Sequence, residues 1–126
     1  MSKKRIMIVD DEAPFTRLLK LSLEETGQYA VRVENNPLMA VDAAKQFLPD
    51  LVLMDVMMPE MDGGVLAAQF QSSVPLQHVP IVFLTAAVRR EEVKANHGQI
   101  GGLPFLAKPL NLQELTHCIQ RHLDAG

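Results

Sequence analysis

Five short apolar runs, each closed by a polar residue, limit what this chain can become. Residues Ile6 to Val9 run into Asp10 and Asp11, Val31 to Val33 into Glu34, Asn35 and Asn36, and Leu51 to Met54 into Asp55. Ile81 to Leu84 ends at Thr85, and Phe105 to Ala107 ends at Lys108. Runs this short and rich in Val, Ile, Leu and Phe, nearly all apolar throughout, mark strands buried on both faces of a parallel sheet. Every strand of such a sheet points the same way. The polar residues that close the runs therefore gather along its carboxyl edge, where open α/β sheets bind ligands at the switch in strand order.

The segments between the runs read as helices. Pro14 suits a first helical turn, and Phe15, Leu18, Leu19, Ser22 and Leu23 keep helical spacing up to Gly27. Ala40, Val41, Ala44 and Phe47 or Leu48 mark a second helix ended by Pro49 and Asp50, and Gly64 to about Gln71 a third, with Val65, Leu66 and Phe70. A fourth, Arg89 to His97, is thinly anchored by Val93, and Gly98, Gly101 and Gly102 then loosen the approach to Pro104. Leu112, Leu115, Ile119 and Leu123 stripe a fifth, with Asn111 as its cap and Glu114 in its first turn. Five strand–helix alternations predict an α/β domain: a flavodoxin-like, doubly wound, five-stranded parallel sheet in the order 2-1-3-4-5, with five helices on its two faces.

Composition bounds the function. At 126 residues, 48% of them apolar, the chain is expected to form a single domain over residues 1–126. Its net charge of -3, with Lys and Arg clustered only at Lys3-Lys4-Arg5 and Arg89-Arg90, speaks against a direct nucleic-acid surface. The lone Cys118 excludes an internal disulfide and suits a reducing compartment. Too few apolar residues follow the basic start to make a signal peptide, and no run approaches the roughly 18 residues of a membrane span. A cytoplasmic protein away from the membrane is expected. His78, His97, His117 and His122 have no metal-ligand partners nearby in sequence and are given no role.

The predicted strand order sets the ends of strands one, three, four and five side by side, so that Asp10, Asp11, Asp55, Thr85 and Lys108 converge. Crowded carboxylates repel one another, and a hard divalent cation with oxygen ligands relieves them, Mg²⁺ where phosphate is also present. In that setting Asp55 can act as a nucleophile toward phosphorus. Lys108 supplies a fixed positive charge, and Thr85 a hydroxyl, for moving phosphoryl oxygens. A simple salt bridge from Lys108 to Asp55 is the plainer alternative, compatible with the same role at rest.

These residues resemble the response-regulator receiver domain of two-component signalling. The likeness rests on Val9-Asp10-Asp11, on Asp55 followed by Pro59, Asp62 and Gly63, on Leu84-Thr85-Ala86, and on Phe105 leading to Lys108-Pro109, over about residues 4 to 124. It implies that Asp55 accepts a phosphoryl group from a phosphohistidine on a sensor histidine kinase or a histidine phosphotransfer protein. Mg²⁺ is then held directly by Asp11, through water by Asp10, and by Asp55 and the Met57 carbonyl. Thr85 and Phe105 become a switch pair in which the hydroxyl turns to the phosphoryl group and the ring moves inward. The surface around helix four, strand five and helix five changes, controlling a downstream protein target. The resemblance also implies a cis Lys108-Pro109 bond. It places Met57 and Ala87 beside the path of a hydrolytic water, where neither offers a hydrogen bond, so that self-dephosphorylation is slow.

One stretch departs from the pattern: Leu103-Pro104 precedes Phe105 where the family carries small acidic or polar residues. Other functions fit less well. An aspartyl-phosphate hydrolase wants a second acid two residues after its nucleophile, where this chain has Met57. A nucleotide or flavin carrier wants an anion cradle where Asp10-Asp11-Glu12 repels phosphate. A receiver-like docking module that is never phosphorylated stays open. No output domain follows the fifth helix, so the chain reads either as a stand-alone receiver or as a piece of a longer regulator.

Overall fold

All five apolar runs become strands of one sheet in a computed structural model, which describes residues 3–85, 99–100, 103–108 and 110–125. The strands are β1 (Lys4–Val9), β2 (Tyr29–Glu34), β3 (Leu51–Asp55), β4 (Ile81–Thr85), a two-residue β5 (Gln99–Ile100) and β6 (Leu103–Ala107). Their order is β2-β1-β3-β4-β6-β5. The first five in that order pair in parallel, which is the expected 2-1-3-4-5 arrangement. Every residue of β3 and β4 is buried, as strands covered on both faces must be.

β5 is a departure from expectation. The stretch read as a loose, glycine-rich approach to Pro104 instead contains an antiparallel pairing of Gln99 with Pro104 and Ile100 with Leu103. The parallel ladder with β4 begins only at Phe105, opposite Phe83. Pro104 thus lies outside that ladder, where its missing N–H takes no hydrogen bond from it.

Four α-helices lie among the described residues: α1 (Ala13–Glu25), α2 (Ala40–Phe47), α3 (Gly63–Ser72) and α4 (Leu112–Ala125). None of them is long and apolar enough to cross a membrane. The helix expected over Arg89 to His97, the residue Ala87 and the Lys108-Pro109 bond lie outside the described residues. Alternation along the strands splits the core in two. Ile6, Ile8, Leu51, Leu53, Val82 and Leu84 meet α1 and α4 through Leu19, Leu23, Leu115 and Ile119. Met7, Val9, Val52, Met54, Ile81 and Phe83 meet α2 and α3 through Ala40, Ala44, Leu66 and Phe70.

The helix ends follow local chemistry. Gly27 takes φ +76° just past α1, a conformation open to glycine at little steric cost. α2 stops one residue before the expected Pro49-Asp50 signal, because Leu48 adopts the left-handed region at φ 53° while its N–H still donates to Ala44 O at 2.7 Å. The following Pro49 disfavours a right-handed helical conformation at Leu48. Asn111 caps α4 as expected, its Oδ1 accepting from the Gln113 and Glu114 N–H groups at 2.8 and 3.2 Å.

The turn between β3 and α3 is closed by the Gly63 N–H, which donates to Val56 O at 2.7 Å. A Cβ at Gly63 would fall 2.8 Å from Val56 Cα and closer still to the Asp55 carbonyl oxygen, both backbone atoms that cannot swing aside. At Gly64 the nearest obstacle is the Asp62 side-chain oxygen, 3.0 Å away, which need give only a few tenths of an ångström and can keep its bond to the Gly64 N–H. Gly63→Ala is therefore expected to lower stability by about 1–3 kcal/mol, and Gly64→Ala to change it little. Urea midpoints of the two variants test this, and equal midpoints would refute the close packing of the turn.

Candidate functional site

β1 and β3 end side by side, with Val9 opposite Met54, and so deliver Asp10 and Asp55 to the same edge. Asp10 has 0% of its surface exposed and Asp55 6%, while Asp11 is more open. One carboxylate oxygen from each of Asp10, Asp11 and Asp55 lies within 4.8 Å of the others. An all-oxygen donor set of this compactness fits a hard divalent cation such as Mg²⁺.

The Asp10 and Asp55 carboxylates are held by backbone N–H groups. The Asp10 N–H donates to Glu34 O at 3.2 Å, and Asp10 Oδ1 accepts from the Glu12 N–H at 2.9 Å. Asn35, at the end of the edge strand β2, donates from Nδ2 to Asp10 O at 2.8 Å and to Thr16 Oγ1 at 3.0 Å. Asp55 is fixed more sparsely, its Oδ1 accepting a long 3.4 Å bond from the Met57 N–H. Past it, Met57, Met58, Pro59 and Asp62 line a cavity shared with Asp11, and Asp62 Oδ1 caps α3 through the Gly64 N–H at 2.6 Å. Met57 is 66% exposed where it lines this cavity.

Lys108 enters from the opposite side. Its N–H donates to Thr85 O at 2.8 Å, so the ends of β4 and β6 move as one. Its Nζ donates to Asp10 Oδ2 at 2.7 Å and to Glu12 Oε1 at 3.0 Å, and stands 3.9 Å from Asp55 Oδ2. The Phe15 ring lies beneath it, 4.4 Å from Nζ to the centroid. The salt bridge to Asp55 is thus the longest of three, and the resting partner is Asp10. Burial would lower the Lys108 ammonium, but its hydrogen bonds to Asp10 and Glu12 and the charges of Asp10 and Asp55 outweigh this and hold it above its ordinary value. Thr85 is buried at the end of β4. Phe105 is 6% exposed and packs in the cluster of Phe83 and Leu103.

Sequence reasoning brought Asp10, Asp11, Asp55, Thr85 and Lys108 to one edge, and they are there. It gave no role to Glu12, Phe15 or Asn35. A signal for Glu12 was available, since a glutamate is poorly suited to open a helix. For Asn35 and Phe15 the signal was weaker: one closes an edge strand and the other looks like ordinary helix packing.

The sequence model described as the response regulator receiver domain matches residues 6–120. The polar-differentiation response regulator DivK of Brucella anthropi is 30% identical over 121 residues, covering 95% of this chain and 96% of that protein. Among solved structures, the signal receiver domain of a signal transduction histidine kinase from Syntrophus aciditrophicus superposes with a TM-score of 0.80 at 32% identity, covering 97% of this chain and 91% of that one. The Vibrio cholerae chemotaxis protein CheY4 gives a TM-score of 0.80 at 26% identity, covering 95% and 98%.

The electrostatics make a measurable statement. The Asp55 carboxyl is pushed up from 3.8 to about 6, by burial first and by the Asp10 charge second, while Lys108 and the Met57 N–H pull the other way. Between those two values the folded chain binds more protons than the unfolded one. Stability therefore falls as pH rises through about 6. Asp55→Asn removes the strained charge and is expected to stabilise the metal-free chain by roughly 2–3 kcal/mol at neutral pH, the gain vanishing below about pH 4. Urea unfolding in chelator at both pH values checks this, and a gain that ignores pH would place the strain elsewhere.

Proposed function

The chain belongs to the response regulator receiver domains, the phosphoacceptor switches of two-component signalling, and from that premise we propose that Asp55 is its phosphoacceptor. The donor is a phosphohistidine of a sensor histidine kinase or a histidine phosphotransfer protein. An Asp55 carboxylate oxygen attacks phosphorus, the phosphorus–nitrogen bond breaks, and the imidazole leaves with the bonding pair. The observation that carries the reading is the compact set of Asp10, Asp11 and Asp55 with the Lys108 ammonium 3.9 Å from Asp55. Asp10, Asp11 and Asp55, with the Met57 carbonyl, would hold Mg²⁺, which when bound neutralises the carboxylates so that an anionic donor can approach.

The remaining work falls to the chain itself. Lys108 pairs with a phosphoryl oxygen as a fixed point charge, and the Thr85 hydroxyl donates to another. Burial of Asp55 keeps bulk water from competing with these contacts. When the Thr85 hydroxyl turns, the Phe105 ring on the neighbouring strand β6 moves with it. That carries the signal to the surface formed by the segment after β4, β6 and α4, where a downstream protein or an output domain binds. A cytoplasmic location suits the single cysteine, Cys118, which is buried in α4.

Incubation with Mg²⁺ and acetyl phosphate is expected to add one acid-stable, base-labile phosphoryl group, and Asp55→Asn to abolish it. Mass spectrometry of the modified peptide decides the matter. Incorporation elsewhere, or none with any donor, would favour a docking module that is never phosphorylated.

Loss of the phosphoryl group is expected to be slow, because Met57, two residues beyond Asp55, offers no side-chain hydrogen bond to hold a water in line. Replacing it in Met57→Asn supplies an amide that can orient one. The lifetime of purified phosphoprotein with Mg²⁺ should shorten several-fold, and an equal or longer lifetime counts against this role for Met57.

A further inference from the structure

Glu12 occupies the N-cap of α1, where Ser, Thr, Asp or Asn would accept a hydrogen bond from the first turn. Its side chain makes no capping bond. Its carboxylate reaches instead to the Lys108 ammonium, 96 residues away in sequence and 3.0 Å away in space. A helix start has thus given up a local stabilising contact for one across the site, the kind of conflict between levels that accompanies function. One turn on, Phe15 sets its ring 4.4 Å from the same ammonium. Glu12 and Phe15 together form a seat for Lys108 on the α1 side, away from Asp55.

Three carboxylates surround Lys108, and two of them, Asp10 and Asp55, belong to the compact oxygen cluster suited to a cation. Glu12 stands outside that cluster. When the cluster is occupied, Glu12 keeps its whole charge for Lys108 and competes with an anion at Asp55 for it. We propose that Glu12 is a positioning residue that holds Lys108 in this seat, with Phe15, and so sets how readily the ammonium is released to a phosphoryl group on Asp55. The inference rests on Asp55 being the phosphoacceptor. Because the Glu12 side chain is 60% exposed, its hold is modest and tunable rather than absolute.

Beryllofluoride with Mg²⁺, a stable mimic of a phosphoryl group, reads this out as an affinity with no turnover involved. Glu12→Gln in the full chain is expected to bind it about two- to fivefold more tightly, the span of an exposed ion pair. Glu12→Asn, which can cap α1, should show the same gain with a melting temperature equal to or above the parent's, which a merely structural role of Glu12 would not produce. Phe15→Leu removes the other half of the seat without altering any charge, and a gain in the same direction is expected from it. A gain in Glu12→Gln with none in Phe15→Leu would mean that Glu12 acts only through its general negative field, and the proposal falls. No gain, or a loss, in Glu12→Gln overturns it as well. A parent chain that binds no beryllofluoride and takes no phosphoryl group overturns the phosphoacceptor reading itself, and this inference with it.

Discussion

Four carboxylates and one ammonium share the carboxyl edge of the sheet, and this imbalance is the condition to which the rest of the site answers. Asp10, Asp11, Glu12 and Asp55 lie within reach of Lys108 or of one another, and Lys108 is the cation placed among them. In water such groups would separate. Here they cannot, because β1 and β3 are pinned in the middle of the sheet by residues with no exposed surface, and the strand ends follow the strands. Parallel pairing turns a hydrophobic constraint into an electrostatic one: the more firmly the apolar runs are buried, the more firmly the charges are confined. Burial of Asp55 then penalises its ionised form more than any single neighbour does.

The scaffold around the charges does not relax this strain. Lys108 is tied through its backbone to Thr85, Asn35 braces Asp10 from the edge strand, and Gly63 locks the turn that follows Asp55. None of these bonds supplies positive charge at Asp55. Fixed carboxylates beside one fixed ammonium are the kind of arrangement that phosphoryl transfer uses in general.

Much of this was legible in the residues alone, for a physical reason. Fully buried parallel strands must be apolar throughout, so their runs and their polar ends stand out, and the strand order follows from right-handed crossovers. The convergence of Asp10, Asp11, Asp55, Thr85 and Lys108 needed little more. What was not legible depends on three-dimensional competition. The antiparallel pairing of Gln99–Ile100 lies in a glycine-rich stretch without strand periodicity. The left-handed conformation of Leu48 is not foretold by Pro49, which disfavours the right-handed helical region but by itself favours extended backbone. That Lys108 rests on Asp10 and Glu12, with Asp55 the more distant partner, is a matter of about an ångström, below anything that spacing in a sequence can resolve.

The division of the core carries a mechanical consequence. The side of the sheet facing α1 and α4 is filled by Ile6, Ile8, Leu51, Leu53, Val82 and Leu84, all branched aliphatic side chains. The side facing α2 and α3 contains Met7, Met54 and Met58 with Phe83 and Phe105, and unbranched thioethers can change shape at small expense. Along β1, β3 and β4 the sheet thus carries aliphatic side chains alone on one side and, on the other, a layer that adds thioethers and an aromatic ring to Val9, Val52 and Ile81. Phe105 packs on the side that holds the methionines, next to side chains that can adjust to it. Adaptability is thus spread unevenly across the sheet, the side chains best able to change shape lying on the face where Phe105 packs.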